Sequence, residues 1–253
     1  MRTRSRLPRR LGLGLFFLLA VGLAARAWLV PALIVAGIRK SYDGHVTIRG
    51  WWLDRSSAGV TGLVMHEGKS PSSPVWARAE LVSTDLSISG LLRGRFIPGR
   101  ILLRTVAVTH RIDADNHSLT HPPFRHDSRN TLPEVIGEDA RLTLRQVGRP
   151  EMVVTRISAS LGHDRDGPSF RADSDDPTWG PASVLGGIGS RFESVHLRLD
   201  ASRLIADPSK YPRIPFVAPA IWDHFRPTGP IRVVVDYDRP EGRAGPHQVR
   251  TRV

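Results

Sequence analysis

Cysteine is absent from all 253 residues. That removes a disulfide framework, a thiolate metal site and a thiol nucleophile together. It is also compatible with a compartment outside the cytoplasm. The nucleotide and nucleophile signatures are missing too: there is no G-x-S-x-G, no G-x-x-x-x-G-K-[ST], and no G-x-G-x-x-G opening a helix. Gly186, Gly187 and Gly189 form a glycine-rich patch, but no strand of suitable length precedes it, so it reads as a hinge. What the chain does have is 20 prolines and 23 glycines, which favour short strands and turns over long helices.

Acidic residues are absent from the first forty positions, whereas Arg2, Arg4, Arg6, Arg9, Arg10, Arg26, Arg39 and Lys40 all lie there. The formal charge of +12 is therefore largely an N-terminal feature. A basic tail against an apolar run is a membrane address before it is a nucleic-acid footprint, and no nucleic-acid motif accompanies it. No nucleic-acid partner is expected.

From Leu11 to Ala25 the chain is uncharged, LGLGLFFLLAVGLAA. As a helix this run spans about 22 Å, and continuing to Val30 gives about 30 Å, the thickness of a bilayer core. Arg26 would snorkel to the far interface, where Trp28 also sits. The preceding arginines stay in the cytoplasm, so everything after Val30 is sent across. Ala25-Arg26-Ala27 also fits a cleavage site before Trp28, which leaves a released, soluble body as the alternative. The apolar stretch Trp28 to Ile38 favours the uncleaved anchor, followed by a short interfacial helix. The expected organisation is a cytoplasmic tail over 1–10, a transmembrane signal anchor over 11–30, an interfacial helix over 31–40 and an extracytoplasmic β domain over 41–253.

The body alternates with period two. Val46 and Ile48 share a face, as do Val75, Ala77, Ala79 and Leu81. Ile101 and Leu103 alternate, and Val106, Val108 and Ile112 continue on shifted parity near Arg104, as a bulge would cause. Later runs give Ala140, Leu142 and Leu144; Val153, Ile157, Ala159 and Leu161; Val195, Leu197, Leu199 and Ala201; and Ile231, Val233, Val235 and Tyr237. Such alternation predicts a mainly β fold of antiparallel strands, apolar on one face and wet on the other. One or two short helices are expected, over Ser89–Arg95 and Pro215–Phe225. Residues 115–133 and 162–189 are predicted to be long loops.

Two further constellations bear on chemistry. His110, Asp113, Asp115, His117, His121, His126 and Asp127 lie close in sequence, but at no zinc spacing, and the stretch from Asp113 fails as a calcium loop. A solvated loop is expected, with no metal, no cofactor and no catalytic residue. A metal-dependent enzyme would need His117, His121 and His126 to converge beside a pocket. Trp51, Trp52 and Trp76 sit in or beside strands, where core or groove lining is the ordinary role.

The order of these pieces resembles the N-terminal part of AsmA-like proteins, the envelope family that includes the TamB-type proteins. The resemblance is carried by a basic start and one membrane helix, then GHVTIRGWWLD with GVTGLVMHEG, and then ARAELVSTDLSISGLLRG with its Asp85, Leu86, Ser87, Leu91, Leu92 and Gly94. RILLRTVAVTHRIDAD follows as a further strand pair, then a polar loop, LPEVIGEDARLTLR, and a last module from VHLRLDASRLIADPSKYP to PTGPIRVVVDY. It implies a long curved antiparallel sheet whose apolar face forms an open groove for lipid. It also implies an inner-membrane anchor with the body in the periplasm. The groove candidates are Val46, Ile48, Leu142, Leu144, Leu197, Leu199, Val233 and Val235. Membrane lipid is then the expected partner, with envelope proteins as further ones. The alternative is an envelope scaffold that assists assembly of other membrane proteins and carries no lipid. Some ten strands would extend only about 50 Å, and the sequence stops at HQVRTRV. Both a truncated family member and a short one working with partners fit that.

Overall fold

The computed structural model describes residues 42–87, 98–124, 133–164, 167–188, 195–217, 219–239 and 248–252, together with Ile38, Ser89, Gly90, Arg93 and Gly94. The expected anchor lies outside these residues. Among them no helix is long and apolar enough to cross a membrane.

The alternating runs form the strands β1 (Val46–Thr47), β2 (Gly50–Leu53), β3 (Ala58–His66), β4 (Val75–Thr84), β5 (Arg100–Ile112), β6 (Glu134–Gln146), β7 (Met152–Asp164), β8 (Gly167–Asp176), β9 (Gly180–Ile188), β10 (Val195–Ala206), β11 (Gly229–Arg239) and β12 (Gln248–Arg252). They make one open 12-stranded sheet in the order β1-β3-β4-β5-β6-β7-β8-β9-β10-β11-β12, with β2 also paired to β3. Every pair is antiparallel except β5 with β6, which run parallel. A parallel pair needs a crossover, and residues 113–133 supply it. Between β10 and β11 lie a 3₁₀ helix (Pro208–Arg213) and a short α-helix (Pro219–His224).

Three sequence expectations change. Residues 162–189 are not a loop but the end of β7 followed by β8 and β9. Their Asp, Ser and Gly content hides an alternation of small inward residues. The hinge expected at Gly186 and Gly187 is accordingly the paired end of β9. RILLRTVAVTHRIDAD is one long strand rather than a pair, because the parity shift near Arg104 bends β5 without ending it.

That shift belongs to a crease across the sheet. Thr105 has φ 51°, Asp139 φ 52°, Arg156 φ 52° and Gly62 φ 61°. The pairings Thr61↔Leu81, Leu81↔Arg104 and Arg104↔Glu138 bring Gly62, Thr105 and Asp139 into one line, one residue further along. Left-handed backbone costs an L-residue roughly 1–2 kcal/mol, most for a β-branched one. Two opposite effects are therefore expected in urea unfolding. Thr105→Gly should stabilise by about 0.5–1 kcal/mol, after its added unfolded-state entropy is subtracted. Gly62→Val should destabilise by about 1–3 kcal/mol, because its Cβ would also sit 2.8 Å from the Arg49 Cβ. Equal signs for the two would refute the crease.

Extensive contacts between elements run only between sheet neighbours and between the two short helices. Among the described residues the elements are this one sheet and the two short helices. Full burial is rare: of the described large side chains only Tyr42 and Ile112 fall below 2% exposure.

Candidate functional site

Directly paired residues share a face of a sheet, so the registers define rows running across the strands. One row is Val60, Val82, Leu103, Gly137, Ala159, Ala172, Val184, Leu199 and Val235. It is apolar over nine strands, about 38 Å at a spacing of about 4.8 Å. A second row is Ile101, Val135, Leu161, Phe170, Gly186, Leu197 and Tyr237. Beyond the crease, Val46, Met65, Ala77, Val108, Leu142 and Val154 make a third. Ala140, paired with Ile157, joins this row to the other two.

Six of the groove candidates therefore share this face: Leu142, Leu144, Leu197, Leu199, Val233 and Val235. All six are half-buried, reachable by a ligand. Val46 lies on the same row, but it is buried at 4% exposure and serves the packing of the first strands. Ile48 lies just beyond β1, outside any strand, and is half-buried.

From β7 onward the opposite face carries mostly polar and charged side chains, with Val234 buried among them at 7% exposure. Ser160, Arg171, Leu185, Arg198 and Asp236 form one of its rows. Ion pairs cross it: Arg171 with Asp173 at 2.7 Å, Arg232 with Asp200 at 2.7 Å, and His196 with Asp238. Farther back, Arg100 meets Glu134 at 2.7 Å and Arg104 meets Glu138 at 2.8 Å. Exposed pairs of this kind contribute little stability, but they keep this face in water.

Polar hubs brace the end of the sheet where β5 and β6 finish. The Asp176 carboxylate accepts from the backbone N–H and hydroxyl of Thr155, both at 2.7 Å, and from the N–H groups of Thr178 and Trp179 at 2.7 and 2.9 Å. Burial opposes its ionisation, yet these donors outweigh it and hold the carboxyl below its ordinary 3.8. Trp179 in turn donates its ring N–H to the Val153 carbonyl at 2.9 Å. Asp176→Ala strands several donors, so a loss of about 2–4 kcal/mol is expected in denaturant titration at neutral pH. A group whose folded pKa is depressed stabilises above its unfolded value and stops doing so as acid protonates it. The gap between wild type and Asp176→Asn should therefore close below pH 3.8.

Gln146 is the second hub. Its side-chain N–H₂ donates to the Asn116 side chain at 2.8 Å and the Asp113 carbonyl at 3.3 Å, while its oxygen accepts from the Phe216 N–H at 3.2 Å. Arg149 adds a bond to the Ile214 carbonyl at 2.7 Å. The β10–β11 connection is thus tied back to the β6–β7 turn and to the loop after β5. Sequence reading missed this link, since no local pattern encodes a contact between Gln146 and Phe216.

The histidine-rich segment divides. Asp113, Asp115 and His117 bring ligand atoms within 4.8 Å of one another. The Asp113 carboxylate is already engaged, accepting from the N–H groups of His117 at 2.7 Å and Asp115 at 2.8 Å, which lower its pKa. This arrangement is an exposed turn. His110 sits elsewhere, on the apolar face opposite Leu144, where burial and then the neighbouring His121 lower its pKa. His126 and Asp127 lie outside the described residues. Trp52 covers Gly59, where a Cβ would fall on its ring. Trp76 donates to the Tyr42 hydroxyl at 2.5 Å within a cluster that includes Phe124.

No protein-family model matches this chain, and no curated protein matches it.

Proposed function

We propose that the chain is a membrane-anchored envelope protein of AsmA-like type that binds or conducts phospholipid, or another amphiphile, along the apolar face of its sheet. In this reading residues 11–30 hold it in the inner membrane and place the body in the periplasm. The face acts by binding, without catalysis, as an open groove for acyl chains. One observation carries the reading: apolar rows cross as many as nine strands, and from β5 onward most of their described side chains are only half-buried, whereas Val46, Val60 and Ala77 are buried. Soluble monomers rarely leave contiguous apolar surface beyond a few hundred Å² without a partner for it. Acyl chains fit such a face because they ask for no hydrogen bonds, while the headgroups they carry stay in the water beside it.

The scaffold reading draws on a different feature. β12 pairs only with β11 among the described strands, so its free edge offers backbone groups to a client strand. Its five residues include Arg250 and Arg252, and short charged edges discourage such pairing. Lipid binding is therefore the favoured reading.

Native mass spectrometry with lipid extraction on the full chain tests it. Near-stoichiometric phospholipid that survives detergent exchange is expected. A folded chain that carries none would transfer the assignment to the scaffold.

A further inference from the structure

Among the described residues, nearly all exposed large hydrophobic side chains gather at one end of the sheet. Leu119, Phe124, Val147, Phe216, Ile221 and Phe225 are 41–60% exposed. All lie where β5 and β6 finish: Leu119 and Phe124 in the loop after β5, Val147 in the β6–β7 turn, and the other three in the β10–β11 connection. Ile205, at the end of β10, belongs to the same end, and among the described residues only Leu185 of the exposed large hydrophobics lies elsewhere. At the opposite end the described exposed residues are polar, among them Asp54, Arg55, Ser56 and Asp85.

These residues form a connected rim, not scattered loops. Gln146 bonds the post-β5 loop and the Phe216 backbone at once, and the Val147 N–H donates to the Ile112 carbonyl at 3.0 Å. The ring of Tyr211 stacks on Trp222 at 4.5 Å, which holds the connection's two helices together.

The chain's own apolar run leads into this same end. Tyr42 precedes β1 and bridges to Phe124. Its N–H donates to the Ile38 carbonyl at 2.9 Å, so the chain enters the sheet at this end. The apolar run from Leu11 to Ala25 precedes this entry point in the sequence.

We propose that this rim docks on the bilayer that holds the N-terminal segment, with Leu119, Val147, Phe216, Ile221 and Phe225 entering its interface. The inference rests on the anchored reading above. It adds an orientation: the strands around β5–β7 rise from the membrane with their apolar face opening at its surface. Lipid then reaches that face from the membrane beneath it. Apolar insertion is the driving term. Of the charges nearby, Lys69 pairs with Asp43 at 3.1 Å and Arg226 with Asp223 at 3.6 Å.

The absence of cysteine makes the test direct. Single substitutions Val147→Cys, Ile221→Cys, Ser56→Cys and Phe17→Cys in the full chain take a spin label, in phosphatidylcholine–phosphatidylglycerol nanodiscs. Accessibility to oxygen is then compared with accessibility to a soluble nickel chelate. The labels on Val147→Cys and Ile221→Cys should favour oxygen by tenfold or more over that on Ser56→Cys, matching the label on Phe17→Cys. Water-like rim labels with a bilayer-like label at position 17 overturn the docking alone. Water-like labels at all four positions overturn the docking together with the anchor. Rim labels shielded from both reagents indicate burial against protein, which also overturns it.

Discussion

Replacing Leu144 and Leu199 together by aspartate should reduce co-purified phospholipid at least tenfold while the sheet stays folded. Both side chains are half-buried on the apolar face, and they lie on opposite sides of β7–β9. In the empty protein each carboxylate reaches water, so folding tolerates it. Under an acyl chain each would be a desolvated charge, costing at least several kcal/mol. The matched control is Ser158→Asp with Ser160→Asp, on the exposed face of β7, which pair with Asp173 and Arg171. That variant should keep its lipid. Equal losses from both faces would show that added charge, not the apolar face, governs the result.

The largest effect on stability is expected at Gly186. It pairs with Phe170 on one side and Leu197 on the other. A Cβ built there would fall on the Phe170 ring and lie 2.9 Å from the His196 carbonyl. The ring therefore occupies the space that the glycine leaves. Gly186→Leu must displace the ring or part β8 from β9, costing about 3 kcal/mol or more, at the upper end of overpacking penalties. Phe170→Ala alone should cost about 3–5 kcal/mol. The double variant should be much less destabilised than the sum, because each change relieves the other. Thermal unfolding of the four proteins checks this, and additive losses would contradict the ring-over-glycine contact.

The sequence made the strands legible wherever apolar and polar residues alternate with full-sized side chains, as in β6, β7, β10 and β11. It failed at β8 and β9. There Ala172, Ala182 and Gly186 take the inward positions, and aspartates, serines and glycines dominate the composition, so the segment reads as a loop. Only the cross-strand neighbour Phe170 makes Gly186 a sensible strand residue. The crease was half legible: the parity change near Arg104 is visible in β5, but its alignment with Gly62 and Asp139 depends on register, which no single strand contains.

Among the site residues, period two was enough to put Leu142 with Leu144, and Leu197 with Leu199. That both pairs share a face with Val233 and Val235 follows only from the pairings across β7, β8, β9 and β10. Val46 lies on the row of Leu142, yet it is buried at 4% exposure. Burial depends on what folds over a strand, and for Val46 its surroundings include the end where Tyr42, Trp76 and Phe124 cluster.

Photocrosslinking in native membranes measures the central claim most directly. A benzophenone amino acid is placed in turn at Leu142, Leu199 and Val235 on the apolar face, and at Arg141, Arg198 and Asp236 one residue away on the other. Phospholipid adducts are expected from the first three and not from the second three. Adducts from neither set, or equally from both, would contradict the apolar face as the lipid site.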